Sequence, residues 1–210
     1  MAHRRPPLLL ALGLNTAALV AELAAGVGGN SLSLIMDGVH NVSDEVALAF
    51  LVLAYTLPAG LSANALLSAN VFNSIGLLGI SGFLVWQAVE RLGRPPAILG
   101  VVPVVAGLVA AACNWGVARA LRESSRADAA IRLAYVHNIG DTFVSLAPVL
   151  AGVLTLLTGR FIFDPLLALV VAAAIILPSL RTIVTFRREL VSPGVVGCGP
   201  HTATGAASRR

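Results

Sequence analysis

Two short stretches of this chain carry the same chemistry. His40-Asn41-Val42-Ser43-Asp44 and His137-Asn138-Ile139-Gly140-Asp141 share the pattern His-Asn-aliphatic-x-Asp, 97 positions apart. On a helix, positions i and i+4 stand on one face, a turn apart. Each stretch therefore presents an imidazole beside a carboxylate. Brought together, they would place two nitrogens and two oxygens around one point. That donor set suits a tetrahedral divalent cation, Zn²⁺ first, with Co²⁺, Cd²⁺ and Fe²⁺ open. Mn²⁺ prefers all-oxygen sites, and Cu⁺ favours thiolates. One such pair alone would read as a self-satisfied polar contact. Two histidines would also suit a haem, a rival that the flanking aspartates disfavour. The candidate metal ligands are His40, Asp44, His137 and Asp141.

Around them stand weaker candidates. Asp37 lies three positions before His40 and is expected to orient its imidazole or to line an entry path. Asn41 and Asn138 follow the two histidines and are expected to brace the helix pair. Glu22 would sit near the end of its helix, snorkelling or pairing there, and Asn15 would reach the interior or bond between helices. Gly76, Gly79 and Gly82 form a smooth stripe suited to close helix packing. Asp164-Pro165 reads as a helix start, with Asp as N-cap and Pro at N1. Cys113 reads as packing. Cys198 and His201, three apart, are a weak metal pair in a bland tail.

The elements that must position these residues follow from composition. Of 210 residues, 57% are apolar and 11% charged. A soluble domain of this size cannot cover so much apolar surface. Disorder, a coiled coil and a soluble enzyme are thereby disfavoured, and a polytopic membrane protein remains. Six stretches are long enough to cross a hydrocarbon core of about 20 residues' depth. They run from about 8 to 27, 32 to 57, 66 to 89, 98 to 118, 133 to 157 and 165 to 184. Ionisable groups inside such spans cost about 2.5–3.5 kcal/mol each, so the paired His and Asp read as functional. The first span is too long for a cleaved signal peptide.

All fourteen basic residues are arginine. With the N-terminus inside, eleven fall on the inner side, and Arg91, Arg94 and Arg160 fall outside. That is the asymmetry of the positive-inside rule, so both termini are expected to be cytoplasmic. The net charge of +4 is a matter of orientation, and nucleic acid is not an expected partner. The fold class is all-α with six transmembrane helices. Residues 1–186 form the membrane domain, and 187–210 a short disordered tail.

These residues resemble the cation diffusion facilitator family. The stretch Gly29-Asn30-Ser31-Leu32-Ser33-Leu34-Ile35-Met36-Asp37-Gly38-Val39-His40-Asn41-Val42-Ser43-Asp44 is similar to the family's second-span signature. Ala134-Tyr135-Val136-His137-Asn138-Ile139-Gly140-Asp141-Thr142-Phe143-Val144-Ser145 is similar to its fifth, and Asp164-Pro165 to the start of its sixth. Val89-Glu90-Arg91-Leu92 and Pro96-Ala97-Ile98 resemble the link between spans three and four. The resemblance implies export of Zn²⁺ or a related divalent metal in exchange for protons, with the transport site on His40, Asp44, His137 and Asp141. The chain departs from the family in three ways. Residues 55–69 carry no charge, no His-rich loop joins spans four and five, and the usual cytoplasmic C-terminal domain has no counterpart.

The expectation is therefore a proton-coupled divalent-metal transporter of the plasma or inner membrane, not an enzyme. It would hold no permanent cofactor, would have metal, protons and lipid as partners, and is open to homodimerisation. Two other readings stand beside it. One is a transport-defective or auxiliary metal-binding subunit, and the other a membrane haem protein for electron transfer.

Overall fold

The computed structural model describes residues 5–56 and 63–191. Seven helices follow one another: α1 (Arg5–Gly29), α2 (Leu32–Thr56), α3 (Ala63–Gly93), α4 (Val101–Leu121), α5 (Ala129–Val144), α6 (Leu146–Thr158) and α7 (Phe163–Val191). A single 3₁₀ turn, Ser124–Arg126, leads into α5. Among the described residues there is no strand.

Five segments are long and apolar enough to cross a membrane: Arg5–Gly29, Asn73–Gly93, Val101–Leu121, Ala130–Thr158 and Phe163–Arg181. The fourth of these joins α5 to α6. The chain is thus an integral membrane protein of helical, polytopic type. Helix α2 matches α1 in length, 25 residues, or about 37 Å at 1.5 Å per residue. Its composition is less apolar because it carries Asp37, Asp44 and Glu45. Asp37 and Asp44 are buried inside the bundle, and Glu45 is half-buried. The first half of this helix, from Leu32 to Asn41, is mostly buried in the bundle.

Proline sets the departures from the expected boundaries. Pro95 and Pro96 lie in a non-helical stretch, so α4 starts at Val101, three residues later than expected, while Ile98 is still buried. In the fifth span Pro148 has no N–H to offer the carbonyl of Val144, and its ring crowds that carbonyl. The helix accordingly breaks at Ser145, between α5 and α6. Gly159, at φ 67°, closes α6 in the left-handed conformation that a side chain would resist. Helix α7 contains Pro178 and runs to Val191, seven residues past the expected end. Residues 192–210, with Cys198 and His201, lie outside the described residues.

Helix α1 packs on α2 and α4, α3 packs on α7, and α4 packs on α5 and α6. One apolar core joins the start of α2 to α3 and α7 through Leu32, Met36, Leu84, Val171 and Ile175. A second, at the other end, joins α1, α2, α4 and α5 through Leu8, Leu48, Leu121 and Ile131. The α1–α2 contact is close at Gly38, where a Cβ would stand 2.8 Å from Leu23 Cδ2 and 3.2 Å from Glu22 Cβ. The expected role of Gly76, Gly79 and Gly82 is not realised within the chain. All three are exposed, with nothing within 4 Å of an added Cβ, because α3 meets α7 along its other side.

Candidate metal site

The two His-Asn-x-x-Asp stretches meet in the middle of the bundle, where α5 touches α2. His40, Asp44, His137 and Asp141 each offer one ligand atom, and these four atoms lie within 4.8 Å of one another. The pairing is crossed. His40 Nε2 stands 3.0 Å from Asp141 Oδ1, and His137 Nε2 stands 2.8 Å from Asp44 Oδ1. Each imidazole is farther, 3.6 Å, from the carboxylate on its own helix. The rings meet edge to face, 5.5 Å between centroids.

These dimensions fit a metal. Ligands about 2.1 Å from a tetrahedral Zn²⁺ are about 3.4 Å from one another, and the four N···O separations of 2.8 to 3.6 Å bracket that value. Asp44 Oδ2 and Asp141 Oδ2 are buried without a hydrogen-bond donor, an arrangement that a cation would complete. The same carboxylates fill the space between the two imidazoles. A porphyrin would need an apolar slot there, so the donor set disfavours a haem.

A cavity of about 660 Å³ reaches the site. Its walls come from α2 between His40 and Leu51, α5 along its length from Ala130 to Val144, α3 from Asn73 to Leu77 and α7 from Ala174 to Ser179. Asn73 Nδ2 donates to Ser43 Oγ at 2.6 Å and pins α3 against α2 beside the ligands. His137 faces this cavity with 44% of its side chain exposed, against 10% for His40. At the same end Arg5 Nε donates to Tyr55 O at 3.3 Å. Tyr55 OH donates to Asp128 Oδ2, and Asp128 also caps α5 through Ala130 N and Ile131 N.

At the opposite end Asp164 ties α7 to the start of α2. Its carboxylate accepts from Leu32 N at 2.6 Å, Ser31 Oγ at 2.7 Å, Ser33 Oγ at 2.7 Å and Ser33 N at 3.3 Å. The expected capping role is therefore corrected: Asp164 stands inside the first turn of α7 and caps α2. A negative group at a helix N-terminus meets unpaired N–H groups and the positive end of the dipole. Arg91 adds a second tie at this end, donating to Asn30 O at 3.0 Å and Asn30 Oδ1 at 3.1 Å.

The remaining candidates sit elsewhere. Asp37 makes no hydrogen bond to His40, and both its oxygens and His40 Nδ1 lack partners. Asn41 Nδ2 donates to Glu22 Oε2 on α1, so it braces α1 against α2. Asn138 Nδ2 donates to Ala134 O in its own helix. Glu22 neither snorkels nor reaches the end of the bundle, since it is completely buried. Asn15 bonds between helices, to Asn41 O at 3.0 Å and Glu45 Oε2 at 2.9 Å. Cys113 is half-buried and free. Glu45, Asn73 and Asn114 stand outside every motif of the sequence. They are single polar residues without a repeat to mark them.

A helical membrane bundle with two histidines and two aspartates at its centre offers four ligand atoms to a divalent cation. The chain matches the cation efflux transmembrane domain over residues 8–191, and it belongs to that family. It is 28% identical over 180 residues to the cadmium, cobalt and zinc/H(+)-K(+) antiporter of Bacillus subtilis (strain 168), covering 80% of this chain and 58% of that protein. It is 28% identical over 196 residues to the zinc transporter ZitB of Escherichia coli (strain K12), covering 88% and 62%. It is also 28% identical over 173 residues to the metal cation efflux system protein CzcD of Cupriavidus metallidurans, covering 78% and 54%. The chain spans about six-tenths of the length of such relatives.

Proposed function

We propose that this protein carries a divalent metal cation, Zn²⁺ before Co²⁺ or Cd²⁺, out of the cell in exchange for protons. The observation that carries this reading is the crossed tetrad of His40, Asp44, His137 and Asp141 at the floor of a cavity. Metal binding needs neutral imidazoles and ionised carboxylates, so protons compete for the same atoms. The crossed His–Asp contacts are what protons support when the metal is absent. Metal entry displaces those protons, and proton return from the other side helps expel the metal.

The geometry corresponds to one half of an alternating cycle. The arginine distribution assigns the open end, where the chain termini belong, to the cytoplasm. The membrane would be the plasma or inner membrane. In this state cytoplasmic metal reaches the tetrad past His137, while Asp164 and Arg91 tie the helices at the far end.

The test is Zn²⁺ flux into proteoliposomes, with and without an opposing pH gradient. The wild type should carry Zn²⁺ faster with the gradient, and Asp44→Ala combined with Asp141→Ala should carry none. Flux that ignores the gradient would refute proton exchange. Binding of Zn²⁺ without flux would favour an auxiliary metal-binding subunit.

A further inference from the structure

Behind the tetrad, away from the cavity, lies a second cluster of ionisable groups. Glu22 on α1 is fully buried, and Asp37 on α2 is 1% exposed. The two carboxyl groups face each other across the α1–α2 contact, where Gly38, next to Asp37, would bring a Cβ within 3.2 Å of Glu22 Cβ. Gly38 makes this closeness attainable, because a Cβ there would press on Glu22 and Leu23. Asn41 Nδ2 supplies one donor, to Glu22 Oε2. Glu22 Oε1 has no donor, and both oxygens of Asp37 lack one at ordinary hydrogen-bond geometry, with the Ser145 hydroxyl nearby.

The surroundings do not supply the missing charge. The chain has no lysine. The titratable neighbours of the pair are His40 on α2, Asp141 on α5 and Cys113 on α4. The nearby amides add acceptors rather than donors, since Asn15 Oδ1 and Asn41 Oδ1 are also buried without partners. Two carboxylates side by side, cut off from water, cannot both stay ionised. A neutral carboxylic acid donating to a carboxylate resolves both difficulties with one hydrogen. It halves the buried charge and turns an acceptor–acceptor contact into a charge-assisted hydrogen bond.

We propose that Glu22 and Asp37 share one proton and form a proton site between α1 and α2, separate from the metal ligands and exchanging with the cargo. The exchange rests on the reading of the tetrad as a divalent-metal site. Asp37 stands one turn from His40, so a doubly charged cation in the tetrad lowers the pair's hold on its proton. On metal arrival the O–H bond breaks, the electron pair stays on the carboxylate, and the proton leaves to water. The coupling is reciprocal, so an emptied pair holds metal more tightly. The antiporter would then draw exchanged protons from two places, the ligands and this pair.

Glu22→Gln is the sharpest probe. Its amide can donate to Asp37 much as the protonated acid would, which preserves packing and fixes the protonated state. Asp37→Asn is the matching change on the other partner. Infrared spectra of the purified full chain, without metal at neutral pH, should show the carbonyl stretch of a protonated carboxylic acid, shifted in deuterium oxide. That band should vanish in both variants. Its persistence in both, or its absence from the wild type, overturns the proton site. This readout needs no metal and stands even if the transport reading fails. Calorimetry of Zn²⁺ binding in buffers of different ionisation enthalpy then counts protons released. Release should fall by about one per metal ion in Glu22→Gln, and unchanged release overturns the exchange.

Discussion

His40 and His137 play matching parts in the tetrad but occupy different surroundings. His40 is enclosed, whereas His137 forms part of the cavity wall. Removing either ligand should weaken Zn²⁺ binding by more than the about 10–100-fold typical of an outer partner. The two losses should differ in stability. His40→Ala leaves Asp141 buried without its 3.0 Å partner and should lower the melting temperature of the metal-free protein. His137→Ala lets cavity water reach Asp44 and should lower it less. Calorimetric titration and thermal melts in detergent would separate the two effects. The sign of the pH effect follows from the ligands: acid protonates them, so Zn²⁺ affinity should fall as pH falls and rise as it rises. The tetrad was legible because the same five-residue pattern occurs twice. The Glu22–Asp37 contact was not, because spacing along one helix does not reveal which neighbour each face will meet.

Among the elements, α2 owes its position to a residue on another helix. Asp164 satisfies N–H groups of Leu32 and Ser33 that no upstream turn could reach. Hydrogen bonds to a charged group are worth about 1.5–3 kcal/mol each. Asp164→Ala should therefore destabilise the protein by about 3 kcal/mol or more, and Ser31→Ala and Ser33→Ala by less. Denaturant or thermal unfolding in detergent is the check, and equal effects from all three would contradict a clamp centred on the carboxylate. The sequence showed Asp-Pro as a helix start, which it is. What it could not show is that the carboxylate turns toward α2, because that depends on α2 and α7 packing side by side. The break at Pro148 belongs to this scale too. The proline was visible, but a membrane helix can carry a proline inside a continuous element, as α7 does with Pro178, or be interrupted by one residue, as happens at Ser145.

At the scale of the whole molecule, a cavity reaches the tetrad from one end, and hydrogen bonds of Asp164 and Arg91 tie the helices at the other. Ala47 is exposed and lines the opening. In a background carrying Cys113→Ser and Cys198→Ser, Ala47→Cys should react with a membrane-impermeant thiol reagent added on the cytoplasmic face, and Zn²⁺ should slow the reaction. Labelling only from the opposite face would reverse the assigned orientation. Five of the six expected spans could be read from apolar length alone. The cavity could not, because it is the space left where α2, α3, α5 and α7 fail to fill the interior.

The break at Ser145 also has mechanical meaning. Helix α5 is a 16-residue arm, about 24 Å long, joined to α6 through one residue. Asp141 lies about 6 Å along the arm from that joint, and His137 about 12 Å. A swing of about 10° would move Asp141 by about 1 Å and His137 by about 2 Å. The cage around a bound ion would therefore come apart unevenly, with the outer nitrogen letting go while the carboxylate near the pivot keeps its hold. An ion released in that order always has one firm attachment until its last step.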